Sequence, residues 1–491
     1  MKRVSTASNW RLDARVVIAV VALIAVGFYL IVSALVFRIG FPLDDTWIHL
    51  TYARNFAEHG EWAFRLGERS AGSTSPLWTF MLSIGFFLNL APYAWTFFLG
   101  WVVLAFLGIY AENIARRFIE SYRPRIPWVG LFFVLEWHMT WSAVSGMETL
   151  LHGLIILVVL AELMSGSRRY LAMGLLAGLS VWVRPDGLTL VGPLLLTAIM
   201  SETTWSARGR AISKVLIGFG ALFLLYLLFN LALSGSPMPN TFYAKQAEYQ
   251  VFWLSKPWTV RAGDYLTVMI ASPLLAIIPG VFLWLGKRMT LARNWGAFSG
   301  MIWAIGYFLI YFMRLPAYQH GRYIIPLLPI LCLWGMLGML EYITTPRANK
   351  RVVFIWQTIT AILCVAFVFV AARQNAEDVF WIESEMVLTA RWVQQNLPAD
   401  ALLAVHDIGA LGYHAQNPIL DMAGLITPDV VVFIRDETKL AGFLDSESVD
   451  YLIVFPRDYP QLTSQLTPVF VGGMDIAPLP LRERLQVFRW K

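Results

Sequence analysis

The sequence predicts a mainly α-helical, polytopic membrane bundle followed by a small α/β module, and three observations carry that expectation. Composition is the first: 58% of the 491 residues are hydrophobic and 14% charged, against about 25% charged in an ordinary soluble domain. The second is five long runs without a formal charge, Val16 to Phe37, Tyr265 to Gly286, Trp295 to Met313, Tyr323 to Leu340 and Val352 to Ala372, each near the roughly 20 residues that cross a bilayer as a helix. The third is a change of character after Ala372, where apolar runs give way to short strand-like pieces between Gly, Pro and Asp.

The first run holds 22 uncharged residues, longer than the roughly 7–15-residue core of a cleaved signal, and no small-x-small site follows it, so it reads as a retained helix. Six basic clusters then punctuate the chain: Lys2/Arg3/Arg11/Arg15, Arg116/Arg117/Arg123/Arg125, Arg168/Arg169, Arg208/Arg210/Lys214, Lys287/Arg288/Arg293 and Arg347/Lys350/Arg351. The positive-inside bias puts them all in the cytoplasm, so an even number of crossings separates neighbours. Two apolar segments fit between Arg125 and Arg168, two between Lys214 and Lys287, and two between Arg293 and Arg347. The uncharged stretch Ser70 to Ala111 is long enough for a hairpin, yet parity allows one net crossing, which makes residues 76–90 re-entrant or interfacial. Tyr170 to Ser201 holds two short apolar halves around Arg184-Pro185-Asp186-Gly187, a pattern tolerated where a broken helix is buried or lines a wet cavity. About 11 spans result, with the amino terminus inside and the carboxyl terminus outside.

The division expected is a transmembrane module over residues 1–372 and an extracytoplasmic α/β domain over 373–491. Glu377 to Gln395 reads as an amphipathic helix, with Val379, Ile382, Met386, Ala390 and Val393 near a helical period. Leu402–Val405, Tyr451–Phe455 and Leu485–Phe488 read as strands. Cys332 and Cys364 both lie in apolar runs and offer neither a disulfide framework nor a zinc spacing. The net charge of +6 falls in the topology-setting clusters and implies no nucleic-acid partner. The 21 Trp and 18 Tyr suit membrane interfaces and a sugar site. Walker and nucleophile-elbow motifs are absent from the sequence, so ATP-driven transport and α/β-hydrolase chemistry lack support.

With this topology the unusual polar segments all fall on the outer side, although they played no part in fitting it. Asp44 and Asp45 follow the first helix. Adjacent carboxylates repel, and partial burial raises the pKa of at least one toward a value useful to a general base; the plainer alternative is an Asp cap on an interfacial helix. The loop behind them, Thr51 to Gly60 and Gly67 to Trp78, offers Arg54, Glu68, Ser73 and Thr74 to a hydroxyl-rich ligand. His49, four residues after Asp45, can share its helical face and pair with it.

An acidic pair after the first helix, an Arg54-Asn55-Phe56-Ala57 helix core and the Gly72-Ser73-Thr74-Ser75-Pro76-Leu77-Trp78 re-entry resemble the first outer loop of C-type (GT-C) membrane glycosyltransferases. The pattern looks most like bacterial arabinofuranosyltransferases and protein mannosyltransferase-like enzymes. The resemblance continues through Ser145-Gly146-Met147-Glu148-Thr149, the Arg184 turn, Pro239-Asn240-Thr241-Phe242-Tyr243-Ala244-Lys245, Gly321-Arg322-Tyr323 and, in the tail, Val405 to Tyr413 and Leu420 to Leu425. It covers most of the chain, and its specificity lies in the order of the motifs. It implies a lipid-linked donor, a polyprenyl-phosphate sugar, and transfer to the hydroxyl of a glycan, lipid or protein acceptor outside the cytoplasm. Asp44 or Asp45 would be the general base of a single displacement that inverts the anomeric centre.

Arg184, Lys245 and Arg322 are outer-side cations at membrane-helix ends, where the positive-inside bias disfavours them, and so are candidates to hold the donor phosphate; snorkelling to membrane-lipid phosphates is the alternative. Tyr243, His320 and Tyr323 flank them. His406-Asp407 at a strand end, before Gly409 and Gly412, reads as a structural turn or an acceptor-binding lid. The acids and His49 leave a divalent metal ion open, since such ions need several oxygen ligands gathered in space. Two rivals come from other classes: a lipid or sugar transporter or flippase, and a non-catalytic scaffold of envelope-glycan assembly.

Overall fold

The structure is a computed structural model that describes residues 13–290, 294–346, 348–473 and 480–490, the side chains of 250–252 and 290 excepted. Lys2, Arg3, Arg11, Arg293 and Arg347 of the basic clusters lie outside the described residues. Asp13 caps α1 (Ala14–Val36), accepting the Arg15 N–H at 2.9 Å. At 1.5 Å per residue its 23 residues reach about 34 Å, enough to cross a bilayer.

Then come α2 (Asp45–His59), the small hairpin β1 (Ala63–Arg65) and β2 (Glu68–Arg69), α3 (Pro76–Phe87) and α4 (Pro92–Phe118). The 12 residues of α3, started by a proline at the first helical position, rise only about 18 Å, as a re-entrant or interfacial segment would. Next are α5 (Trp128–Leu135), α6 (Trp137–Val144), α7 (Thr149–Met164) and α8 (Tyr170–Val183). A 3-10 turn over Pro185–Leu190 breaks the run before α9 (Val191–Ser201), as the proline at 185 dictates. The 30-residue α10 (Trp205–Ser234) ends on left-handed Gly235, and α11 (Asn240–Ser255), α12 (Trp258–Ile270), α13 (Leu274–Thr290), α14 (Trp295–Arg314), α15 (Leu328–Ile343) and α16 (Lys350–Trp381) complete the bundle.

Without a hydrophobic drive between helices in lipid, close packing needs small residues. Gly174 and Gly178 of α8 meet α10 where a Cβ would strike its backbone, and Gly335 and Gly338 of α15 do the same against α13. Among the described residues six helical segments are long and apolar enough to cross a membrane, and a seventh span results if α12 and α13 count as one. Four shorter apolar helices, α3 among them, accompany these spans, so length and composition alone do not return the expected figure of about 11. The run Tyr265 to Gly286 is not one helix: the chain bends by 93° between α12 and α13, where Pro273 withholds a backbone donor.

The tail begins inside a continuous helix. α16 runs from Lys350 to Trp381, across residue 372, and passes through a π-helical stretch, Ile382–Val387, into α17 (Leu388–Asn396). Val379, Ile382, Met386, Ala390 and Val393, the apolar positions of the expected amphipathic helix, are all buried there. The sheet that follows orders its strands β4 (Ile419–Asp421), β3 (Leu403–Val405), β5 (Tyr451–Val454), β7 (Gln486–Arg489) and β6 (Pro468–Val471). β3 is parallel to both its neighbours, whereas β7 is antiparallel to β5 and β6. The short α18 (Gly409–His414) follows β3, and α19 (Glu437–Ser446) precedes β5.

Side chains alternate across a sheet, and here the alternation divides two cores. Ala404, Leu420, Leu452 and Val454 pack with Leu440 and Leu444 of α19. Leu403, Val405, Ile453 and Val487 face the other way into the core shared with the bundle.

Candidate active site

Asp44 and Asp45 stand at the start of α2, and the helix turns their side chains in different directions. Asp44 does not cap its own helix. Its carboxylate crosses to the tail, accepting the N–H of Gly409 at 2.7 Å and of Ala410 at 2.8 Å. Burial, and next the charge of Asp407, push its pKa up to about 7 against the lowering effect of those two N–H groups. Asp45 faces the bundle, in ion pairs with Lys245 (3.3 Å) and with Arg322. Those cations hold its carboxyl well below the usual carboxylate range despite burial.

Lys245 and Arg322 are therefore not the uncompensated cations that the sequence suggested: they share Asp45 between them. Lys245 comes from α11, just after Pro239-Asn240, whose Asn240 N–H is fixed on the Ala71 carbonyl at 3.2 Å. Arg322 is delivered by a turn in which Gln319, His320 and Gly321 all take left-handed backbone angles (φ 51°, 58° and 73°). That conformation costs a non-glycine residue about 1–2 kcal/mol, and such strain gathers at functional sites. Arg322 is 4% exposed; its Nη2 lies 3.4 Å from the Tyr323 hydroxyl, and Nε and Nη1 have no hydrogen-bond partner among the described residues.

Deeper in the bundle, Arg184 is saturated. It meets Glu148 and Asp186 at 3.1 Å each, the Tyr311 hydroxyl at 3.3 Å and the face of the Tyr323 ring. The Tyr307 and Tyr311 hydroxyls also donate to Asp186, at 2.6 and 2.7 Å. His49 does not pair with Asp45. Its ring contacts Ser73 at 3.1 Å, Thr79 at 3.0 Å and Glu148 at 3.5 Å, while Asp45 is held by Lys245 and Arg322.

A cavity of about 970 Å³ opens between bundle and tail, lined by Asp44, Glu248, His320, His406, Asp407 and Tyr459 among others. His406 contacts the Tyr459 hydroxyl at 2.7 Å and Glu248 at 3.5 Å. Charge on Tyr459, a hydrogen bond to Glu248 and the Asp407 carboxylate raise its pKa well above the usual value against the opposing effect of burial. Burial lifts the Asp407 carboxyl. His320 pairs with Asp378 at 2.6 Å and stands edge-on to Trp137 and Trp141.

Other expected residues lie off this centre. Arg54 ties α2 to the tail, donating to the Tyr413 carbonyl at 2.8 Å and covering its ring. Glu68 is exposed on the hairpin and pairs with Arg65 at 3.0 Å. Ser73 belongs to the His49 group, Thr74 is half-buried beside it, and Tyr243 is exposed two residues before Lys245, on another side of α11. The sequence presents Glu148 and Asp186 only as members of motifs, and gives Glu248, Tyr459, Tyr307 and Tyr311 no place among the candidates. Glu248, three residues after Lys245, carried a faint signal as an acid in the same short helix; the tyrosines sat in ordinary apolar or turn sequence.

Over 97% of this chain and 98% of the other, at a TM-score of 0.62 and 14% identity, the structure matches ArnT from Cupriavidus metallidurans bound to undecaprenyl phosphate. The fold is GT-C-like. The Archaeoglobus fulgidus oligosaccharyltransferase, in complex with zinc and sulfate, matches at 0.59 and 12% identity over 90% of this chain and 67% of its own. Mycobacterial arabinofuranosyltransferase AftD, a longer chain, matches at 0.51 and 15% over 98% of this chain and 42% of its own. A family model described as a domain of unknown function (DUF8728) matches residues 374–485. No curated protein matches the sequence. Within the GT-C-like bundle, segments far apart in sequence supply two ion-pair groups, Asp45 with Lys245 and Arg322, and Glu148 with His49 and Arg184, and the Tyr323 ring lies against both arginines.

Proposed function

We propose that this membrane protein is a glycosyltransferase that moves a sugar from a polyprenyl-phosphate donor to an acceptor hydroxyl on the outer face of the membrane. One observation carries the reading: neighbouring carboxylates are divided, Asp44 toward a large cavity with a pKa near neutrality and Asp45 between half-buried Lys245 and buried Arg322. That is the division of labour a displacement at a sugar phosphate needs. Lys245 and Arg322 take the donor phosphate, Lys as a point charge and Arg through its planar fork.

The acceptor occupies the cavity beneath the tail, with its hydroxyl toward Asp44. Its oxygen attacks the anomeric carbon, the bond from that carbon to the phosphate oxygen breaks, and the electron pair leaves with the phosphate. Asp44 takes the hydroxyl proton. Attack from the face opposite the leaving group inverts the anomeric centre. Among the described residues no three His, Cys, Asp or Glu side chains are gathered closely enough to hold a metal ion, and the steps above use only the groups of this chain. The tail acts as a lid over the acceptor, and the amino terminus lies inside and the tail outside. Undecaprenyl phosphate in the ArnT neighbour supports a lipid-phosphate donor.

A panel of synthetic polyprenyl-phosphate sugars, offered to the purified protein with short glycan, lipid and peptide acceptors, tests this. At least one pair is expected to react, and Asp44→Asn to lose the activity. No transfer from any donor by folded protein overturns the reading.

A further inference from the structure

We propose that Asp45 lowers the charge of the phosphate site so that its preference for the doubly charged product over the singly charged donor is weakened, which speeds release of polyprenyl phosphate. The inference rests on the glycosyltransferase reading and concerns what happens after the sugar has left.

Transfer changes the charge of the lipid. The donor phosphate is a diester with one negative charge. When the sugar departs, the bond to its anomeric carbon breaks and the phosphate keeps the electron pair, becoming a monoester whose second ionisation lies near pH 6. Two cations alone would therefore grip the product, at about two charges, harder than the donor, and the site would be blocked by its own leaving group. Such coupling is strong among poorly solvated charges.

Asp45 corrects this. One of its oxygens, Oδ2, faces both Lys245 and Arg322, so the site carries two positive charges and one negative. The donor brings it to neutrality; the product leaves an excess negative charge beside a fixed carboxylate. The surroundings do not supply the missing balance, because Arg184, the next cation inward, is already met by Glu148 and Asp186.

Donors for the phosphate remain. Arg322 is buried, and its Nε and Nη1 have no hydrogen-bond partner among the described residues, although a guanidinium offers five N–H donors. Asp45 engages only Nη2. The donor phosphate can thus accept from an N–H of the guanidinium that Asp45 leaves free, while Asp45 stays in place. Asp45 also explains how two cations persist in a poorly solvated site between turnovers, since leaving them unpaired costs several kcal/mol.

The test compares two ligands on each variant at pH 8: polyprenyl monophosphate, which stands for the product, and its methyl phosphodiester, which carries the donor's single charge. In Asp45→Asn the monophosphate should bind at least tenfold tighter and the diester gain less, so that the preference for the monophosphate rises; Asp45→Glu should keep the wild-type ratio. Because the ratio is taken within one preparation, a reduced folded fraction cancels. If Asp45→Asn yields no folded protein, Lys245→Gln reads the same charge count from the other side and should lower the preference about tenfold. An unchanged ratio in Asp45→Asn or in Lys245→Gln overturns the proposal. Failure of the wild-type protein to bind either ligand sinks the glycosyltransferase reading instead.

Discussion

Asp44 at the start of α2 and Gly409 at the start of α18 are joined by a hydrogen bond of 2.7 Å, 365 residues apart in the chain. A Cβ at Gly409 would strike both the carbonyl and the carboxylate of Asp44, so only glycine lets the tail come this close. The carboxylate that faces the cavity is thus oriented by the tail that covers it. A hydrogen bond to a charged group contributes about 1.5–3 kcal/mol. Gly409→Ala should therefore lower turnover roughly ten- to a hundredfold while thermal unfolding of the bundle stays near wild type. Wild-type turnover in this variant would show that the contact does not matter to the chemistry.

The same carboxylate sets a pH dependence. A base must be ionised, and burial with the nearby Asp407 charge pushes Asp44 up to about 7. Turnover should rise through pH 7, and Asp407→Asn should move that limb to lower pH by removing a like charge. For stability the sign is reversed: the raised pKa favours the protonated form in the fold, so this contribution is lost as pH rises from the ordinary carboxylate range through 7. A pH–rate profile with no limb between 6 and 8 would contradict the assignment of Asp44.

Removing either phosphate-binding cation should weaken the donor without changing the acceptor. Loss of one charge-assisted hydrogen bond corresponds to about 1.5–3 kcal/mol, or roughly ten- to a hundredfold in affinity. Direct binding of a polyprenyl-phosphate sugar to Arg322→Ala and Lys245→Ala measures it. Wild-type affinity in one variant would return that residue to a structural role.

Arg184 should behave differently. Its guanidinium lies between Glu148 and Asp186, and removing one member of a buried charged group leaves the others uncompensated at a cost of about 3–5 kcal/mol. Arg184→Met should lower the unfolding temperature, and adding Glu148→Gln with Asp186→Asn should restore part of it. If the triple variant were no more stable than the single one, charge would not be what Arg184 contributes.

Much of the bundle was legible because hydropathy and the spacing of Lys and Arg are local properties of the chain. Pro185 marked the break between α8 and α9, and the motif order pointed to the GT-C-like fold. The count of spans was less legible, since short and bent helices such as α12 and α13 do not separate cleanly by composition. Within the site, Asp44, Asp45, Lys245 and Arg322 could be named in advance, but their pairing could not. Nothing near Asp45 in the sequence says that it meets two cations from α11 and from the strained turn at 319–321. Nor does local sequence reveal that Asp44 reaches Gly409 and not its own helix. Those are consequences of packing between distant segments, as are Tyr307 and Tyr311 around Asp186, whose hydroxyls sit in otherwise apolar sequence.

In the proposed reaction Asp44 removes the acceptor proton while sugar leaves a polyprenyl phosphate. Protein reconstituted in sealed vesicles, given a polyprenyl-phosphate sugar labelled in the sugar and the acceptor found by the panel, tests it most directly when wild type and Asp44→Asn are timed side by side. Label should pass to the acceptor, free polyprenyl phosphate should accumulate in equal amount, and Asp44→Asn should lower turnover by about 10²–10⁴-fold, the range of general base catalysis, with donor affinity little changed. Movement of intact donor across the membrane without transfer, or near-normal turnover in Asp44→Asn, would contradict it.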